Sequence, residues 1–202
     1  MMETMIKEMR KEDIPGVVAV HLAGFEGFFL SVLGPAFLRE LYFSLTEDLH
    51  GICLVAMEQD RVLGFVAGTS KSSGVYSRLL RQRLVRFCLA AVPAVLKQPA
   101  IVPRLINRIR SPHGEGAPTL SRGTLMSIAV HPSQQGKGIG QVLVRDFLER
   151  AAQAGCKEVD LTTDKEQNEL VNHFYKQQGF RLERTFTTPE GRRMNQYLIE
   201  LE

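Results

Sequence analysis

Gly136, Gly138 and Gly140 stand at alternate positions around Lys137 in the run Ser127-Ile-Ala-Val-His-Pro-Ser-Gln-Gln-Gly-Lys-Gly-Ile-Gly-Gln141. An apolar strand ended by His131-Pro132 leads into the glycines, and a helix opens at about Ile139. Glycine lets the backbone approach a ligand closely and turn its amides outward. Amides at a helix N-terminus, helped by the helix dipole, bind anions, and Lys137 adds a cation. The chemistry on offer is recognition of a phosphate or pyrophosphate.

Spacing narrows the ligand. A P-loop needs a glycine where His131 and Pro132 stand and a Ser or Thr where Gly138 stands, so it is excluded. A dinucleotide fingerprint needs a third glycine at Gln141 or at Leu143, and neither supplies it. Asp160 follows at a suitable distance for such a fingerprint but carries little weight without those glycines.

Gln135-x-x-Gly138-x-Gly140 after a strand ending in Val-His-Pro resembles the acetyl-CoA-binding motif of the GNAT family of N-acetyltransferases. Downstream, Asn168-x-x-x-x-x-Phe174-Tyr175-x-x-x-Gly179-Phe180 resembles a second block of the same family. The resemblance implies that Ile128 and Val130 sit on a strand splayed from its neighbour, with backbone free to pair with a pantetheine arm. It places Gln135, Gly136, Lys137, Gly138, Gly140 and Gln141 around the pyrophosphate and gives Asn168 a pantetheine hydrogen bond. Tyr175 is implied as the acid that protonates the leaving thiolate, a role that suits a phenol with pKa near 10. His173, Phe174 and His131 read as packing or structural residues.

The family also needs a neutral attacking amine, often through a carboxylate on the strand before the glycine loop. Here that strand reads Thr124-Leu-Met-Ser-Ile128 and has no acid. Glu26, in the loop after the first helix, or a water on strand carbonyls are the candidates for the base. The apolar run Gly27-Phe-Phe-Leu30 beside Glu26 falls where this family shapes its acceptor pocket. The phrase from Gly24-Phe25 to Tyr42 is similar to uncharacterised bacterial acetyltransferases, some thought to act on cell-surface sugars. Cys156 has no local His and is not proposed as a nucleophile.

Periodicity supplies the elements that must position these groups. Residues 5–10 alternate as a strand, and Asp13 reads as the N-cap of a helix carrying Ile14, Val17, Val18, His21 and Leu22. Leu33-Gly34-Pro35 breaks the chain before a helix with Phe37, Leu38, Leu41, Tyr42 and Leu45. Ile52–Met57 and Val62–Thr69 read as a hairpin around Glu58-Gln59-Asp60-Arg61. Leu80, Leu84, Phe87 and Cys88 form an apolar helical stripe flanked by Arg78, Arg81, Arg83 and Arg86. Pro93, Pro99, Pro103 and Pro112 are expected to cut the rest of this segment into short pieces, and the Gly and Ser content of 111–123 predicts a mobile loop. Regular spacing returns with a strand at Leu125–Val130 and a helix carrying Val142, Leu143, Phe147 and Ala151 inward. A strand at Val159–Thr163, a helix over about 169–178 ended by Gly179, and strands at Phe180–Phe186 and Asn195–Leu201 close the chain. The order is mixed α/β. The resemblance implies a mixed, mostly antiparallel central sheet flanked by helices, in one domain over 1–202 with a basic helical and loop insertion at about 70–123.

Composition sets the outer limits. The 202 residues are 44% hydrophobic and 23% charged, which excludes a disordered or fibrous chain. Net charge is only +3, yet residues 61–114 hold ten Lys or Arg and no acid, so the rest of the chain carries −7. Cys53, Cys88 and Cys156 fit neither a disulfide framework nor a metal site, and no metal is expected. Met1–Asp13 lacks the apolar core of a signal peptide, and Phe87–Leu96, the longest apolar run, is too short to span a bilayer. A soluble cytoplasmic protein is the expectation.

These readings converge on acetyl transfer from acetyl-CoA to a primary amine of a small molecule by direct attack, with an amino sugar or an acidic or phosphorylated acceptor in view. Protein N-terminal or lysine acetylation, a non-catalytic CoA-binding protein and a membrane-surface protein stay open. Few aromatics in the basic segment, Tyr76 and Phe87, speak against nucleic acid, while peripheral membrane contact through it and a homodimer remain as alternatives.

Overall fold

Two runs of β-branched and apolar residues pair as β2 (Gly51–Glu58) and β3 (Arg61–Thr69), a hairpin that forms the second and third strands of a seven-stranded sheet. The computed structural model describes residues 4–99 and 121–202, the side chains of 80–82 excepted. β1 (Met5–Glu8) flanks β2, and β4 (Arg122–Val130) flanks β3. β5 (Glu158–Asp164), β7 (Arg193–Glu200) and β6 (Arg181–Thr187) complete the order β1-β2-β3-β4-β5-β7-β6. Every pairing is antiparallel except β4 with β5.

Helices cover both faces of this sheet. α1 (Ile14–Gly24), the single turn α2 (Phe29–Val32) and α3 (Gly34–Glu47) follow β1. Val17, Leu38, Tyr42 and Leu45 pack with Val55, Phe65 and Ala67 in one core. α5 (Ile139–Gln153) and α6 (Glu169–Gln177) lie on the other face, where Leu143, Phe147 and Tyr175 pack with Leu54, Val66, Val159 and Leu161. Burial of these apolar side chains, at roughly 1.5–3 kcal/mol each, is what holds the layers together.

Three local expectations change. Asp13 stands at the N-cap position of α1, as expected, but its side chain makes no cap bond there: it ends a 3-10 turn, Lys11–Asp13, and its carboxylate accepts from the Arg10 amide at 2.8 Å and Lys7 Nζ at 2.9 Å. Pro93 does not cut the basic segment, because it lies inside α4 (Val75–Lys97). The buried side of α4 is Phe87, Ala91 and Ala94 against Leu33 and Phe37, while Leu84 and Cys88 are exposed. Past a break at Arg83 (φ −143°, ψ 27°), whose guanidinium is tied to Glu40 at 3.2 Å and stacks over Phe43, Leu84 and Cys88 stand about 60° and 100° around the helix from Phe87 and so miss the buried side. A single helical wheel cannot be drawn through that break. The expected breaks at Pro103 and Pro112, and most of the 111–123 loop, fall outside the described residues.

Candidate active site

The parallel ladder between β4 and β5 is three residue pairs long: Arg122↔Glu158, Gly123↔Val159 and Thr124↔Asp160. Beyond that point β4 continues against β3 to Val130, and β5 continues against β7 to Asp164, so the two strands part. From Leu125 to Val130 one backbone edge of β4 has no strand beside it among the described residues. This is the splay expected around Ile128 and Val130. Both of those side chains pack into the α5–α6 core, leaving the backbone edge as what they offer the gap.

A bulge sets the faces of β4. Gly68 pairs with Leu125 and Ala67 with Ser127, so Met126 is the extra residue. Without it Ser127 would point, like Leu125, toward α5; the bulge turns Ser127 to the α1–α3 face instead. Gly68 is required here, because a Cβ would lie 2.3 Å from the Thr124 carbonyl and 2.7 Å from the Phe147 ring.

Asp160 closes the bottom of the gap. It faces away from the Val159–Leu161 core and is 8% exposed. Thr124 Oγ1 donates to its Oδ1 at 2.6 Å and Gln196 Nε2 to its Oδ2 at 2.9 Å, with Arg122 at 3.8 Å. Arg184 Nε donates to Gln196 Oε1 at 2.8 Å, which fixes the amide so that its NH2 must face the carboxylate. Burial outweighs these donors and holds the Asp160 carboxyl above the ordinary carboxylate range.

A second polar group is buried on the α1–α3 side of the sheet. His21 Nδ1 lies 2.6 Å from the Tyr42 hydroxyl, which donates to Ser127 Oγ at 3.3 Å. With the tyrosine proton directed at Ser127, the imidazole proton is assigned to Nδ1, and Nε2 has no partner among the described residues. Burial pushes His21 down to about 4 and Tyr42 well up, so both are neutral near pH 7.

At the other end of the gap stands the glycine loop. A 3-10 turn, Pro132–Gln134, leads to Gly136 (φ 77°) and Gly138 (φ 80°), left-handed conformations that penalise any side chain. The first amide of α5 to find a carbonyl is that of Gln141, bonded to Gly138, so the amides of 136–140 are free for an anion. No atom lies within 4 Å of where a Gly136 side chain would begin. Lys137 Nζ donates to Gln134 Oε1 at 2.7 Å, and Gln135 Nε2 reaches back to the Val130 carbonyl at 3.4 Å. Open amides, a nearby ammonium and an unpaired strand edge together fit a phosphate carrying an extended amide chain.

The remaining expected residues are spread around this gap. Asn168 precedes α6 and its Nδ2 donates to the Asp164 carbonyl at 3.3 Å, at the end of β5. Asn172 does similar work at 3.0 Å and also accepts from Thr163 at 2.6 Å, which anchors α6 to β5. Tyr175 is buried between Phe174 and Phe180, its hydroxyl without a hydrogen bond to another described residue. Burial raises its pKa. Glu26 is exposed in the turn between α1 and α2.

Asp160, Ser127, Tyr42 and His21 went unassigned as site residues on the sequence. The signal for Asp160 was its place between the apolar Val159 and Leu161, but only the register across β4 and β5 brings it to Thr124, where a strand carboxylate was missing.

The profile of the family described as Acetyltransferase (GNAT) family matches residues 21–180. Solved structures share the fold at low identity. An N-acetyltransferase from Staphylococcus aureus Mu50 superposes with a TM-score of 0.65 at 18% identity over 99% of each chain. The ribosomal-protein-S18-alanine N-acetyltransferase of Escherichia coli gives 0.61 at 11%, over 99% of this chain and 95% of that one. The PaiA N-acetyltransferase of Thermoplasma acidophilum, solved in complex with coenzyme A, gives 0.59 at 13%, over 96% and 98%. No curated protein matches the sequence closely enough to count as a relative.

Proposed function

Because the chain belongs to the GNAT acetyltransferase family, we propose that it moves acetyl from acetyl-CoA to the primary amine of a small molecule by direct attack. The observation that carries this is the halt of β4–β5 pairing at Thr124↔Asp160, with open amides at one end of the gap and a buried carboxylate at the other.

In this proposal Gly136, Lys137, Gly138, Gly140 and Gln141 hold the pyrophosphate, and the free edge of β4 at Ile128 and Val130 pairs with the pantetheine. Gln135 and Asn168 lie at the two sides of that path. Acetyl-CoA supplies an activated thioester carbon. Asp160 takes the proton of the incoming ammonium, and its raised pKa makes it a better acceptor than an ordinary carboxylate. The amine then attacks the carbonyl carbon, the carbon–sulfur bond breaks, and the nitrogen gives up its second proton to the phenolate that Tyr175 becomes once it has protonated the sulfur. Tyr175 stays protonated across the neutral range and donates to the sulfur as charge grows there. Asp160 fills the place given to a strand carboxylate better than Glu26, which is exposed in the turn between α1 and α2.

Acceptor charge follows from the same face. Glu158, Asp160 and Glu183 gather around Arg122, with Arg184 one amide away on Gln196, and the remaining excess of negative charge favours a protonated amine over an acidic acceptor. Calorimetry with acetyl-CoA and CoA tests the cofactor half, with a Kd on the order of micromolar, about −8 kcal/mol, expected; absence of heat removes the proposal. A transfer screen over amino sugars, polyamines, amino acids and peptides tests the acceptor. With the best acceptor, Asp160→Asn is expected to lower kcat by roughly 100-fold or more while leaving acetyl-CoA affinity within about twofold. Retention of full kcat returns the base to Glu26 or to water.

A further inference from the structure

The outer side of α4 is apolar and is not covered by any other described residue. Past the break at Arg83, Leu84, Val85, Cys88, Leu89, Val92 and Leu96 fall within an arc of about 140° at helical spacing. Val85 is 71% exposed, Leu89 66% and Leu96 77%. The opposite side already satisfies the core through Phe87, Ala91 and Ala94, so the fold itself has no use for this second apolar face. Contiguous exposed apolar surface of this kind marks a docking site.

Charge identifies the occupant. Residues 61–114 contain ten Lys or Arg and not one Asp or Glu. Arg78 and Arg83 are engaged with Asp48 and Glu40, but Arg86 and Lys97 are exposed and lie just beyond Leu89 at the margin of the apolar arc. A second copy on this face would bring these like charges together. A surface of phosphate headgroups over acyl chains complements both the margin and the face. We propose that α4 is an interfacial helix that lays the protein on an anionic phospholipid bilayer, its Leu and Val side chains in the acyl boundary and Arg86 and Lys97 among the phosphates. No helix among the described residues is long and apolar enough to cross a membrane, so α4 lies along the surface.

Cys88 supplies the probe. It is exposed within the apolar arc, whereas Cys53 and Cys156 are buried, so a polarity-sensitive dye on the intact protein reports from the face itself. Vesicles of phosphatidylcholine with phosphatidylglycerol are expected to sediment with the protein and shift the dye to the blue, and phosphatidylcholine alone to do much less. Raising salt weakens the binding. Combined Leu89→Asp and Leu96→Asp should weaken it at least about tenfold, and Arg86→Glu or Lys97→Glu roughly fivefold each. Circular dichroism and acetyl-CoA affinity of these variants are expected to match the parent, since all four side chains are exposed and outside the acetyl-CoA gap. No binding to anionic vesicles, or binding that survives the double aspartate variant, overturns the proposal. So does a concentration-dependent dimer that the same variant abolishes, which would give the face to self-association.

Discussion

Burying a carboxylate costs free energy, and at Asp160 two hydrogen-bond donors and a nearby guanidinium offset only part of it. A carboxyl with its folded pKa raised contributes stability that is present below the unfolded value and lost as pH rises through the folded one. The parent should therefore lose stability relative to Asp160→Asn on going from acid to neutral pH, measured by thermal melts, while holding the catalytic advantage. His21 has the opposite sign. Its pKa is pushed down to about 4, so its contribution is complete above about 6.5 and is lost as pH falls toward 4. His21→Gln is expected to flatten the acid limb of the stability curve by about 3 kcal/mol, and an unchanged limb would mean that the imidazole is not buried neutral. Tyr175→Phe should reduce kcat with acetyl-CoA affinity nearly intact, because the ring packing against Phe174 and Phe180 survives the loss of the hydroxyl. An unchanged turnover would remove Tyr175 from the chemistry.

Elements explain which of these groups could be found on the sequence. The glycine loop, α5 and the hairpin are local: their spacing and turn residues are contiguous, and the structure has them where the pattern puts them. Gly138 is legible for the same reason, and its left-handed φ makes Gly138→Ala cost about 1 kcal/mol of stability. Its amide neighbours shift with it, so the KM for acetyl-CoA should rise about tenfold with kcat less affected. Asp160 was visible as a residue but not in its role, since Thr124 lies 36 positions away and meets it only through strand register. Ser127 was illegible because strict alternation assigns it to the wrong face, and a one-residue bulge reverses that. Asp13 keeps the cap position that the pattern gives it but turns its carboxylate back to Arg10, and the α4 stripe misled because α4 packs Phe87, Ala91 and Ala94 inward instead.

On the scale of the whole molecule the charge asymmetry and the sheet divide the labour. The basic segment emerges between β3 and β4, with α4 packed on α2 and α3, while the carboxylates Glu158, Asp160 and Glu183 belong to β5 and β6. The same sheet is joined across its middle by three backbone pairs alone, β1–β4 on one side and β5–β7–β6 on the other. Such a short ladder is a seam, and a seam breathes. Amide hydrogen exchange along 125–130 should be fast for groups facing the gap and should slow when acetyl-CoA is added, if the pantetheine stitches the halves together as a strand would. At a hundredfold excess over Kd that stitching adds about 2.7 kcal/mol to unfolding, so the melting temperature would report the cofactor concentration around the enzyme. The opening proposed to admit acetyl-CoA is thus also the line along which the sheet has the fewest backbone bonds to hold it together.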